Sequence, residues 1–230
     1  MSPAQRKGGP RAAVTTRARI GLASATPAAA VVLAVISLAA GAAAAAAQEL
    51  TVKGDQQAWL EITAASARQS QVRSYRAKMT APGSVGNGGT IEVVNPDRYH
   101  VVVEQFESIQ VGRNMRIRTG GGPWQCPPTG PPVPESTTDP SRMSGEVEAV
   151  RGPAVAIDSV ATQSYTFTWK SPGAVAAAGV PNTAMKTRLF VANASGLPKR
   201  MQILGDNDQV DVQFDYEYDI PITIDLPPCA

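Results

Sequence analysis

From residue 73 onward, apolar and polar positions alternate with a period of two along most of the chain, which predicts a protein built chiefly of β-strands. In "DVQFDYEYD" (211–219), Val212, Phe214, Tyr216 and Tyr218 stand against Asp211, Gln213, Asp215, Glu217 and Asp219, giving one apolar and one acidic face. "TIEVV" (90–94) places Ile91 and Val93 together, and in "RYHVVVE" (98–104) Tyr99, Val101 and Val103 oppose Arg98, His100 and Glu104. "SIQVG" and "NMRIR" read as Ile109, Val111, Met115 and Ile117 set against Gln110, Asn114, Arg116 and Arg118. "SYTFTWK" aligns Tyr165, Phe167 and Trp169; "KTRLFVA" contributes Leu189 and Val191, "KRMQIL" Met201 and Ile203, and "PITID" closes with Ile222 and Ile224.

Two stretches predict helix. Residues 55–71 lack Pro and Gly, start at a suitable N-cap, Asp55, and carry Trp59 and Ile62 on one side. Residues 139–150 have Asp139 as N-cap and Pro140 at the first helical position. Gly and Pro mark the connections: a hairpin turn at 82–89, an irregular loop at 119–138 and a second loop at 171–181.

About nine strands that are apolar on one side only suit a single large antiparallel sheet with one wet face. Such a sheet is some 40 Å across at about 4.8 Å per strand, whereas a helix is about 10 Å wide, so two short helices leave part of the apolar face bare. The expected fold class is therefore α+β: a single large curved antiparallel sheet, an incomplete barrel, with helices covering its concave face. A hollow of that type holds apolar ligands. The alternative is tight closure on the chain's own side chains, which leaves no hollow; periodicity does not separate the two.

The front of the chain has a different character. Residues 1–27 hold Arg6, Lys7, Arg11, Arg17 and Arg19 and no acid, and residues 28–47 are uncharged and Ala-rich, with small residues before Gln48. Together they read as an export signal over residues 1–48, with an uncleaved membrane anchor at 28–47 as the alternative, and residues 49–230 as one domain. The formal charge of +2 belongs to this leader, because removing its five cations leaves 16 basic side chains against 19 acidic ones. No basic patch with interleaved aromatics remains, so nucleic acid is not an expected partner. Two cysteines, Cys126 and Cys229, invite one disulfide in an oxidising compartment.

Catalytic patterns are sparse. His100 is the only histidine, and it sits mid-strand, which excludes an H-E-x-x-H zinc site; G-x-S-x-G, phosphate-loop and dinucleotide-binding glycine patterns are missing. The acids of "GDNDQVDVQFDYEYD" lack the glycine and terminal glutamate of an EF-hand loop and read as a solvated face. "NAS" at Asn193 fits a glycosylation sequon but lies in a turn, and the Ala- and Arg-rich leader has a bacterial character. No enzyme, metal or cofactor is expected.

Four segments, in order, carry a resemblance. "VVNPDRYHV" followed by "ESIQVGRNMRIRTGGGPWQ", then "LFVANASGLPKRMQI", then "FDYEYDIPITIDLPP", are similar to motifs of the LolA/LppX-like superfamily of exported lipid and lipoprotein carriers, over about residues 55–228. Phe190 stands where that group commonly has Trp, and no cysteine near Gln48 offers a lipid attachment point. The resemblance implies an incomplete barrel whose concave side is covered by helices and receives acyl chains. The expected cavity lining is Trp59, Tyr99, Val101, Val103, Ile117, Tyr165, Phe167, Leu189, Val191, Phe214 and Tyr216. The expected partner is a lipid or acylated ligand, and the expected place is the bacterial cell envelope, periplasmic or extracellular. Two alternatives stay open: an exported sensor of the same fold that binds a membrane protein, and a ligand-free structural β domain.

Overall fold

The computed structural model of the chain describes residues 50–82, 88–127, 145–170 and 184–230. The leader, the centre of the turn at 82–89, most of the loop at 119–138, the first residues of the second expected helix and the loop at 171–181 lie outside the described residues.

Helix α1 spans Gln56–Gln71, and Asp55 caps it, its carboxylate accepting a hydrogen bond from the Ala58 amide at 3.0 Å. That bond satisfies one of the amides a helix start leaves free. Ala58, Trp59, Ile62 and Ala65 form its buried stripe. At its far end Arg68 lies on the turn between two strands. A side chain at Gly196 would approach its guanidinium to 2.5 Å, so the glycine of "ASGLP" makes room for the helix.

Among the described residues eleven strands form one sheet: β1 (Leu50–Gly54), β2 (Ser74–Thr80), β3 (Gly88–Val94), β4 (Arg98–Val103), β5 (Phe106–Val111), β6 (Asn114–Thr119), β7 (Gly145–Ile157), β8 (Val160–Lys170), β9 (Met185–Ala192), β10 (Pro198–Leu204) and β11 (Val210–Tyr218). Their spatial order is β1-β7-β8-β9-β10-β11-β2-β3-β4-β5-β6. Two antiparallel meanders, β2–β6 and β7–β11, are thus joined side by side through the antiparallel pair β11–β2. β1 and β6 stand at opposite edges, so the sheet is open and not a closed barrel. The α+β curved-sheet architecture expected from the sequence is present.

Four details correct it. The sheet is mixed, because β1 runs parallel to β7. Residues 145–150 begin β7 and are not helical, leaving one α-helix among the described residues. Val147 and Ala149 there alternate with Glu146 and Glu148 between two strand partners, and both are fully buried, so pairing on both sides sets these residues as strand; Asp139 and Pro140, the expected cap, lie outside the described residues. "PITID" forms no strand; residues past Tyr218 are an extended tail. Finally, Val111 pairs with Asn114 across the two-residue turn of the β5–β6 hairpin, which puts Ile109 and Val111 on the face of Arg98 and His100, opposite Ile117. Parity within each strand was correct, but the turn sets which face each strand shows.

Pairing registers line up apolar rows on one face, here called inner. One row runs Leu189, Met201, Phe214, Met79, Gly89, Val103 and Phe106; the next runs Tyr216, Ala77, Ile91, Val101, Ser108 and Ile117. At Gly89 a side chain would come within 2.6 Å of the Val102 carbonyl and 3.1 Å of Met79 and Val103, so this glycine lets the row close up.

Candidate ligand-binding face

All eleven residues expected to line a cavity are on the inner side: ten on the inner face of the sheet by register and Trp59 on the helix that covers it. The structure divides them into two groups. Trp59, Tyr165, Leu189 and Val191 belong to a cluster with Ala58, Ile62, Ala65, Val147 and Ala149, with Phe167 packed against it; α1 is its lid, packing on β1, β7, β8, β9 and β10. Val101, Val103, Phe214 and Tyr216 belong to a second cluster with Ala77, Met79 and Val212, and no helical residue enters it. Tyr99 and Ile117 continue the second group on β4 and β6.

The first cluster is fastened by chemistry as well as packing. Trp59 meets Phe167 edge-on at 6.0 Å between ring centroids. Glu61 on α1 accepts hydrogen bonds from the Tyr165 hydroxyl and from Arg151, whose guanidinium also lies 5.8 Å from the Tyr165 ring. The Tyr165 and Arg151 hydrogen bonds hold the Glu61 carboxyl below the usual carboxylate range. Burial, then the bond to Glu61, push the Tyr165 phenol up to about 12. The hydroxyl therefore remains a donor at physiological pH. Nothing in the period-two pattern marks this triad, because Arg151 and Glu61 are 90 residues apart.

The second cluster carries a tyrosine group instead: Tyr75, Tyr216 and Tyr218 lie 5.9 to 6.2 Å apart by ring centroids, and the Tyr218 hydroxyl donates to the Pro198 carbonyl at 2.7 Å. Burial raises the Tyr216 phenol, so it stays neutral.

On the outer face of the same strands, carboxylates alternate with Lys, Arg and His side chains in a ladder. Glu217 meets Lys78 at 2.6 Å and Arg76 at 3.7 Å, Arg76 meets Glu92 at 2.7 Å, His100 lies 3.2 Å from Glu92 and 2.9 Å from Glu107, and Glu107 pairs with Arg118. Arg118 ends the series 4.5 Å over the Trp124 ring. Partial burial works to raise Glu92 and Glu107, but hydrogen bonds from Arg76 and His100 to the first, and from His100 and Arg118 to the second, hold both below the usual range. His100 is a structural rung here, bridging two carboxylates.

The tail crosses this face. Ser74 exchanges hydrogen bonds with its start, donating to the Ile220 carbonyl at 2.7 Å and accepting from the Asp219 amide at 3.0 Å. Arg98 donates to the Ile224 carbonyl at 2.9 Å and Arg116 to the Pro227 carbonyl at 3.2 Å, and Ile224 is buried. The Cys126–Cys229 disulfide, with Cα atoms 5.9 Å apart, ties the end of the tail beside β6. Arg98 thus faces the polar side, as strand parity indicated, and grips the tail.

A pocket of about 420 Å³ is lined by Val102, Glu104, Gln105, Phe106, Glu107, Arg118, Gly120 and Gly121 at the β4–β5 turn and the end of β6. It contains none of the eleven expected lining residues. Among the described residues no helix is long and apolar enough to cross a membrane.

No family model matches the sequence, and no curated protein does. Solved structures do. The Mycobacterium tuberculosis lipoprotein LppX superposes with a TM-score of 0.52 at 16% identity, over 75% of this chain and all of LppX. LprF from Mycobacterium bovis gives 0.45 at 16% identity, over 76% of this chain and 99% of LprF. The MucA/MucB complex of Pseudomonas aeruginosa gives 0.49 at 14% identity, over 73% of this chain and 59% of the matched chain. An open eleven-stranded sheet, one capped helix on its inner face and superposition along the whole of LppX lead to one conclusion: the chain has a LolA/LppX-like fold.

Proposed function

We propose that this is an exported, non-enzymatic carrier or binding protein for an apolar ligand, a lipid or acyl chain, held on the inner face of β11 and β2–β6. The observation that carries the reading is the second cluster: Val101, Val103, Phe214 and Tyr216, buried at 2–9% exposure, form a continuous apolar cluster that α1, packed over β1 and β7–β10, does not enter. The fold shared with LppX supports it, as does the placement of the expected lining on one side of the sheet. The driving force is burial of the chain's methylenes, about 0.8 kcal/mol each. Of the eleven residues expected to line the site, Tyr99, Val101, Val103, Ile117, Phe214 and Tyr216 touch the ligand in this proposal, while Trp59, Tyr165, Phe167, Leu189 and Val191 hold the helix. The basic-then-apolar leader supports export to the cell envelope.

Native mass spectrometry of the purified mature protein, with organic extraction of what co-purifies, tests this. The expected result is a bound lipid that a fluorescent fatty-acid probe displaces. A protein that purifies clean and ignores such probes contradicts it, and capture of a membrane protein by the clean form would support a sensor that docks a partner on the same surface.

A further inference from the structure

Six non-glycine residues have a positive φ among the described residues: Glu104, Asp158, Ser159, Asn207, Asp208 and Asp219. Five are Asp, Asn or Ser, the short polar residues that turns favour; Glu104 is the exception. At φ 51° it is the first of the two residues linking β4 to β5, a place where glycine or asparagine meets the backbone demand at lower cost. The chain keeps a longer carboxylate there, and that carboxylate has no ion pair or hydrogen bond among the described residues. It stands at the pocket of about 420 Å³ at the end of β6. Solvent reaches this pocket past Gly120 and Gly121: a side chain at Gly121 would meet nothing within 4 Å, and one at Gly120 only the Gln105 amide oxygen at 3.8 Å.

Val102, Glu107 and Arg118 are partners in one row across β4, β5 and β6, so this wall belongs to the outer face. Glu107 and Arg118 neutralise each other, which leaves Glu104 as the one lining charge without a partner. The lining therefore carries one net negative charge, two carboxylates against one guanidinium. An anion is repelled here, and a divalent metal needs several oxygen ligands where a single free carboxylate is offered. Gln105 supplies a side-chain amide, and Val102 and Phe106 supply apolar surface. We infer that the pocket binds a small organic ammonium ion, a primary amine on a short hydrocarbon body. The ammonium donates to the Glu104 carboxylate and the Gln105 amide oxygen while its methylenes lie against Val102 and Phe106. The site is separate from the inner face and does not depend on the carrier reading.

The test titrates the isotope-labelled mature protein with n-butylamine, n-butanol and butyrate at constant ionic strength and follows the amide resonances. The amine is expected to move the signals of Gln105, Phe106, Gly120 and Gly121 along a saturable curve, and the alcohol and the acid are not. Glu104→Gln is expected to weaken amine binding by about three- to tenfold, the worth of one charge-assisted contact at an exposed site. Glu104→Gly, which suits the turn, is expected to lose binding with the melting temperature kept or raised. Free amines and an ethanolamine headgroup share this chemistry; retention on phosphatidylethanolamine vesicles but not on phosphatidylcholine vesicles assigns the headgroup, and retention on neither assigns the free amine. Equal shifts with n-butanol, a Glu104→Gln protein that binds the amine as the wild type does, or no saturable shift at these four amides overturns the inference.

Discussion

The two halves of the sheet are stabilised from opposite sides. Around β7–β10 the inner face is fastened by its own helix, through Trp59, Ile62 and the Glu61–Tyr165–Arg151 triad. Around β11 and β2–β6 the fastening is outside: a charge ladder from Glu217 to Arg118, a tail gripped by Ser74, Arg98 and Arg116, and a disulfide at its end. The contrast teaches that one continuous apolar face can be backed in one half by a helix packed on it and in the other by ion pairs, a tail and a disulfide on the opposite face.

Substitutions separate the halves, and the largest effect belongs to the helix. Trp59→Ala empties the centre of the first cluster and is expected to cost about 3–5 kcal/mol in denaturant unfolding, while dye binding by the fraction still folded is preserved. Loss of binding in step with loss of the indole would merge the two halves into one site. Removing the outer fastening comes next. Cys229→Ser opens a link between residues 103 positions apart, worth roughly 2–4 kcal/mol, and is expected to lower the melting temperature with α1 still docked. Hydrogen exchange is expected to rise in β2–β6 and not in α1; a uniform rise would show that the tail supports the whole sheet.

Acid has the smallest effect. Glu92 and Glu107 have depressed values when folded, so their contribution is complete above the ordinary carboxylate range and fades as pH falls through it. Stability is expected to decline below about pH 5, and Glu92→Gln is expected to flatten that decline. A profile that the substitution leaves unchanged would remove the ladder from the account.

Much of this arrangement was legible in the residues. Alternation placed Tyr99, Val101, Val103, Phe214 and Tyr216 on one side because a strand's side-chain period is two whatever its neighbours do. The disulfide followed from an even cysteine count. Strand-to-strand relations were harder: Ile109 and Val111 read as apolar partners of Ile117 until the two-residue turn at Gly112–Arg113 reversed the β5 face, where Arg98, opposite Val111, also holds the buried tail residue Ile224 by its carbonyl. Residues 145–150 were expected as the end of a helix starting at Asp139, and pairing with β1 and β8 makes them strand instead. The Glu61 triad depends on which distant residues meet, and no local pattern encodes that. The charge ladder had a partial signal, since Arg76, Glu92, His100 and Arg118 alternate with apolar positions, but Glu107 shares the parity of Ile109 and Val111, and the order of the rungs needs the sheet order.

The central claim is that the inner face of β11 and β2–β6 receives the ligand. Photo-crosslinking with a diazirine-bearing fatty acid, followed by peptide mapping, tests it most directly. Adducts are expected on peptides containing Val101, Val103, Ile117 and Phe214, with α1 and β7 unlabelled; labelling confined to α1 and β7, or spread evenly over the outer face, would contradict it.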